Sequence, residues 1–302
     1  MINRLILTLL GAALLIAQTG GPATFNSPEE ARDALMQAAE KGLDSVKTLF
    51  GPGSEEIVRT GDAAADQNVI ARFRQLAAEK TVLEPDPMSP DRVTLLIGTI
   101  EWPLAVPIVR KGGRWSFDIQ EGKAEIRRRT IGGNELDAIQ ICRGYVEAQE
   151  SYAETDRDGN GVLEYAKKIV SSEGQKDGLY WPGEDSPVAA GFAKAAAQGY
   201  TASSSGAPRP YHGYFYKILL AQGPDARGGA QDYVVHGLMI GGFALIAWPA
   251  EYGVSGIKTF IVNQDGIVYE KDLGPTTATA VKAIARFNPD KSWEQSPEET
   301  EQ

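Results

Sequence analysis

Cysteine occurs once in 302 residues, at position 142, and histidine twice, at 212 and 236. A lone thiol excludes an intramolecular disulfide, and Cys142 falls on an apolar helical face, where free cysteine packs as a small hydrophobe. Two histidines are too few for a histidine-based zinc cluster, though one is enough for a general base. Positive charge is also in deficit: 30 Lys and Arg against 40 Asp and Glu give a formal net charge of −10. That balance excludes holding nucleic acid or anionic lipid by bulk electrostatics. Internal repeats are missing, and so are the phosphate-binding glycine patterns, since Gly241-Gly242 separates strands rather than opening a helix. The G-x-S-x-G elbow is missing too, because in Gly253-Val254-Ser255-Gly256 the second glycine stands one residue too near the serine.

One run near the start is long and apolar, Leu5 to Ala17, behind Arg4 and ahead of the small, turn-prone Thr19-Gly20-Gly21-Pro22-Ala23. It is shorter than the roughly twenty residues a membrane helix needs, and no lipid-acceptor cysteine follows it. Residues 1–23 are therefore expected to be a secretory signal. The mature chain, starting near Gly20 to Thr24, is then periplasmic or secreted, with no stable membrane insertion after cleavage.

The rest reads as α+β in two parts. Asn26-Ser27-Pro28-Glu29-Glu30 is a helix start, and Leu35, Ala38, Ala39, Leu43, Val46 and Phe50 follow at helical spacing with Gly42 as a weak point. A second helix is expected from Gln67 to Lys80, then strands over Arg92 to Ile100, Trp102 to Val109 and Trp115 to Ile119. Pro103 and Pro107 push the middle run to an edge or bulge. Helices followed by a curled antiparallel sheet suggest a small domain over residues 24–130, of the cone-shaped nuclear-transport-factor or cystatin type. Glu121 to Thr130, with Arg127-Arg128-Arg129, reads as a joint, and Asn134 as the cap of a new helix that carries Ala138, Ile141, Tyr145, Ala148 and Tyr152 on one stripe.

That helix opens a second domain, expected over residues 134–290. Its sheet comes from Tyr211 to Leu220 and from the apolar runs Tyr233 to Met239, Phe243 to Trp248 and Ile257 to Tyr269. Asp265-Gly266 suits a type I′ hairpin turn. A short alanine-rich helix is expected near Val188 to Gln198 and another near Thr277 to Phe287. An acidic tail, residues 291–302, is expected to lack structure beyond Trp293.

Chemistry is sparse. Asp156, Asp158 and Asn160 stand at positions 1, 3 and 5 of a calcium-type loop, Gly161 at 6, Val162 (through its carbonyl) at 7 and Glu164 at 9. The acid required at position 12 is Lys167, so completion would fall to Glu154, Asp177 or water. The alternative is a plain turn at the end of the long helix. His212 and His236, with the serines Ser203 to Ser205 or Ser255 and an acid, could form a hydrolytic set. Tyr180, Trp181, Tyr211, Tyr214, Tyr216, Trp248 and Tyr252 could line a binding groove or fill a core.

The segments ICRGYVEAQESYAETDRDGNGVLEYAKK, DGLYWP, PYHGYFYKIL, GGFALIAWPAEYGVSGIKTFIVNQDGIVYEKDLG and WPLAVPIVRKGGRWSFDI resemble a family of bacterial exported proteins catalogued as domain of unknown function 2950. The likeness spans nearly all of the mature chain and implies no activity, cofactor or catalytic residue. The second half also resembles the globular domain of type IV pilins and pseudopilins, in which a long helix is followed by a loop and a meander. It lacks their apolar helix extension, so filament assembly is not implied. The reading is thus an exported envelope or interaction protein, non-enzymatic, with calcium as the sole cofactor to consider and an envelope or extracellular partner. The alternative is an extracytoplasmic hydrolase using His212 or His236.

Overall fold

The computed structural model describes residues 21–59, 63–183, 185–188 and 210–297. The signal segment through Gly20, the helix expected beyond Val188, the serines Ser203 to Ser205 and the last five residues lie outside them. The chain forms two compact units, Met1–Ile126 and Arg127–Gln302.

The first unit opens with helix α1 (Pro28–Lys41), which Ser27 caps by accepting the amide of Glu30 at 3.2 Å while the Glu30 carboxylate accepts the amide of Asn26 at 2.8 Å. This reciprocal pair satisfies amides that have no partner inside the helix. Expected as one helix through Phe50, the segment breaks at Gly42, whose φ of 102° no helix accommodates, and resumes as α2 (Leu43–Phe50). A single turn, α3 (Glu55–Val58), and α4 (Ala63–Glu79) follow. An antiparallel sheet is built from β1 (Thr81–Asp86), β2 (Ser89–Ile97), β3 (Trp102–Pro103), β4 (Ile108–Lys111) and β5 (Arg114–Phe117), in the order β1-β2-β4-β5, with β3 also on β2. The two prolines divide the run expected over Trp102 to Val109 into β3 and β4. Leu35, Phe50, Leu95, Ile108 and Phe117 are buried together as its core.

The boundary between the units, Ile126/Arg127, falls within the expected joint Glu121 to Thr130, but the chain does not break there: helix α5 (Ile119–Ala153) passes through the triple arginine and Gly132-Gly133. Asn134 is therefore not a cap. Its side-chain amide donates to the Ser255 carbonyl at 2.8 Å, and the next residue, Glu135, accepts the amides of Ile257 and Lys258 at 2.8 and 3.0 Å. Residues that signal a helix start in sequence serve here to dock a loop onto the helix side.

The second unit's sheet contains β6 (Tyr214–Leu219), β11 (Ala244–Pro249), β12 (Lys258–Asn263), β13 (Tyr269–Asp272) and β14 (Glu294–Gln295), all antiparallel, in the order β14-β13-β12-β11-β6. Four short strands precede β11: β7 (Ala221–Gln222) pairs with β8 (Gln231–Asp232), and β9 (Val234–Val235) with β10 (Leu238–Met239). Residues Ala244 through Ala247 are all fully buried, and so are Phe260 through Val262 to within about one per cent. A strand covered on both faces needs apolar residues at every position, which explains runs that do not alternate. Tyr145, Cys142 and Ala138 of α5 share one core with Tyr214, Tyr216, Leu245 and Phe260, whereas α6 (Thr277–Ala283) contacts β11.

Two expectations fail locally. The Asp265-Gly266 turn is not type I′, because Asp265 keeps a negative φ. Gly266 donates to the Asn263 carbonyl at 3.0 Å and alone takes a positive φ, 74°. The tail does not lose structure at Trp293 either: β14 pairs with β13, and the buried Ser296 donates its amide to Val268 at 2.9 Å.

Candidate functional site

Asp156 accepts the amides of Gly159 at 2.8 Å, Asn160 at 3.3 Å and Gly161 at 2.8 Å. Asp158 accepts the Asn160 amide at 3.2 Å, and Asn160 accepts that of Val162 at 2.7 Å. The backbone thus curls around side chains on alternate residues, as the sequence spacing suggested, with its amides compensating the acids. Donation from Gly161 is the main cause that holds the Asp156 carboxyl below the usual carboxylate range. Glu164 faces elsewhere: it accepts the Met239 amide at 2.9 Å and pairs with Lys167 at 3.3 Å. Asp177 is committed to the Ser172 amide at 2.6 Å and to Lys168 at 2.5 Å. Among the described residues no group of three or more His, Cys, Asp or Glu side chains is gathered to hold a metal ion. What the loop offers calcium is Asp156, Asp158, the Asn160 amide oxygen and the Val162 carbonyl.

Arg157, the second loop residue, lies 5.5 Å from the Tyr152 ring centroid and 5.3 Å from that of Trp181. Lys176 is 4.9 Å from the same indole, whose N–H donates to Asp185 at 2.7 Å. Desolvation raises the Tyr152 hydroxyl pKa to about 12. Gln149 belongs to no motif in the sequence. Fully buried, it donates to the Ala166 carbonyl at 2.9 Å and accepts the Ala166 amide at 2.8 Å, so one side chain holds the loop region to α5 as a strand would. A glutamine on the edge of an apolar stripe was the available signal.

Both histidines precede glycine, and both sit at positive φ, 47° for His212 and 52° for His236, each followed by a glycine at positive φ. Two consecutive left-handed residues make a type I′ turn. Tyr211 and Tyr214 exchange amide hydrogen bonds at 2.9 and 3.0 Å across the first, and Val235 pairs with Leu238 across the second. His236 is therefore an exposed turn residue and not the strand residue expected. His212 is exposed too, with Nδ1 2.6 Å from Asp137 of α5. Ser255 belongs to its own turn, accepting the Glu251 amide at 3.0 Å and donating to the Glu251 carbonyl at 3.2 Å. Burial pushes the Cys142 thiol up to about 12. Tyr214, Tyr216 and Trp181, expected as possible groove residues, are core.

The model of a protein family of unknown function, DUF2950, matches residues 22–296, through both units and every site described above. The chain belongs to the DUF2950 family. No curated protein and no solved structure matches it, so the pilin-like and cone-shaped resemblances gain no support. No helix among the described residues of this DUF2950 protein is long and apolar enough to cross a membrane. A concavity of about 470 Å³ lies beside α6, between β12 and β13 on one side and residues 283–293 on the other.

Proposed function

We propose that this protein is exported to the cell envelope and acts by holding a partner, not by turning over a substrate. The carrying observation is the employment of its reactive groups. Both histidines shape His-Gly turns, Ser255 closes its own turn, and the one thiol is buried with its pKa raised. A nucleophile is activated by an adjacent base, a lowered pKa or a metal, and among the described residues Ser255 is held by Glu251 while Cys142 is buried with its pKa raised. Export is supported by the Arg4 and Leu5 to Ala17 pattern and by a composition that needs no reducing compartment. The test is affinity capture of the mature protein from its own envelope fraction alongside labelling with a fluorophosphonate. The expected result is a reproducible envelope partner and no labelling; covalent labelling would overturn the reading.

A second reading, an extracytoplasmic hydrolase, has one observation in its favour: the carboxylate of Asp137 orients the exposed imidazole of His212 at 2.6 Å. Nothing comparable favours His236. The loop Asp156, Asp158, Asn160, Val162 and Glu164 is proposed as a weak calcium site that stabilises the fold without taking part in chemistry. Its curled backbone and ionised Asp156 support that role, and the diversion of Glu164 to Met239 and Lys167 limits the affinity.

A further inference from the structure

The concavity beside α6 differs from the rest of this acidic molecule. Its apolar wall includes Ile261, Leu273, Ile284 and Trp293, and its charged lining residues are Lys271 and Arg286; no Asp or Glu lines it among the described residues. Against 40 acids and 30 bases in the chain, a lining with cations alone is a local reversal of sign.

A third cation stands behind it. Lys217, in the same cross-strand row as Ile246 and Ile261, donates to the carbonyl of Ile284 at 2.9 Å. Among the described residues it makes no ion pair, and desolvation lowers its pKa. A half-buried ammonium whose hydrogen-bond partner is a neutral carbonyl is under-compensated.

The nearest acids partly compensate these cations and their neighbours. Asp232 accepts from Arg286 at 3.2 Å, Asp225 from Asn288 at 2.8 Å, and Asp290 from the Ser292 amide at 2.8 Å. With Asp232 already on Arg286, the cations here whose hydrogen-bond partners are neutral are Lys271 and Lys217. The volume lies within the roughly 300–1,000 Å³ usual for small-molecule sites. An apolar wall with cations at its margin matches a ligand with a hydrocarbon body and a single anionic head.

We propose that this groove binds a single-chain fatty carboxylate, its chain against Ile261, Leu273, Ile284 and Trp293 and its head on Arg286 and Lys271. The inference rests on the reading of the protein as a binder and names a ligand class for it. Arg286 gives Nη1 to Asp232 at 3.2 Å and to the Gln222 carbonyl at 3.4 Å, which leaves Nε and Nη2 as the fork for a carboxylate. Lys271, 5.8 Å from the Trp293 ring centroid and 2.6 Å from the Ser292 hydroxyl, can exchange that neutral partner for an anion. Lys217 contributes positive potential beneath.

The experiment is calorimetric titration of the mature full-length protein with monomeric decanoate, with decanol and decyltrimethylammonium as neutral and cationic counterparts. One-to-one binding of decanoate is expected, about tenfold or more tighter than either counterpart, consistent with hydrogen bonds to a charged group. Arg286→Gln and Lys217→Met should each weaken it by about tenfold. Ala283→Trp, at an exposed position, should block it with the melting temperature retained. On the wild-type protein, a diazirine-bearing decanoate should label peptides between Leu273 and Trp293, a readout independent of any variant's folding. Absence of decanoate binding, equal binding of decanol, or labelling confined to other peptides would each overturn the proposal. Those results would leave envelope capture and export standing, since neither depends on this groove.

Discussion

The smallest decisive features are single side chains that replace backbone. Gln149 satisfies both the amide and the carbonyl of Ala166 in a fully buried setting. Gln149→Leu keeps the volume but strands those two groups, so an unfolding titration should show a loss of about 2–4 kcal/mol. The histidines test the turn argument. His212→Val puts a β-branched residue at a φ of 47° and should cost about 1–2 kcal/mol, whereas His212→Asn should be near neutral in the same measurement. Asp156 carries a pH signature. Its folded pKa is lowered, chiefly by the Gly161 amide, so its contribution is complete above the unfolded pKa and is lost as pH falls through the folded value. Asp156→Asn should flatten that acid limb of the stability curve. Calcium at millimolar concentration should raise the wild-type melting temperature, and Asp158→Ala should abolish the rise. An unchanged wild-type melting temperature would reduce the loop to a turn.

Elements were legible where one periodicity ran uninterrupted. The stripe from Ala138 to Tyr152 and the strands around Ile246 and Ile261 could be read because burial on one or both faces dictates apolar spacing. Three features were hidden by the same local chemistry that marks boundaries elsewhere. Arg127 to Asn134 resembles a joint followed by a cap, yet Asn134 and Glu135 face the strand that β12 begins, and the helix passes through. Val-His-Gly-Leu lies within an apolar run and reads as strand, though the glycine folds it into a hairpin. β14 carries no apolar signal because it is an exposed edge. Gly132 and Gly133 offer a direct test of continuity: an added Cβ meets nothing within 4 Å at either. Gly133→Ala should therefore stabilise the protein by about 0.5–1 kcal/mol if the helix is continuous, and should not if a flexible joint exists there.

At the scale of the whole molecule, two compact units share one chain, and among the described residues Ser255 is built into a turn and Cys142 into a core. The curl of the backbone around Asp156, Asp158 and Asn160 was legible from spacing alone, although Glu164 was not legible as a partner of Met239, since nothing local in sequence pairs residues that distant. The groove beside α6 was invisible for the same reason: its cations come from β13 and from the segment after α6, and only folding brings them to one lining. The central claim is that this acidic, thiol-poor chain works outside the cytoplasm by binding. Intact-mass spectrometry of the protein recovered from separated cytoplasmic, envelope and medium fractions tests it most directly. The account predicts a species beginning between Gly20 and Thr24 in the envelope or medium. Full-length protein retaining Met1 and confined to the cytoplasm would contradict it.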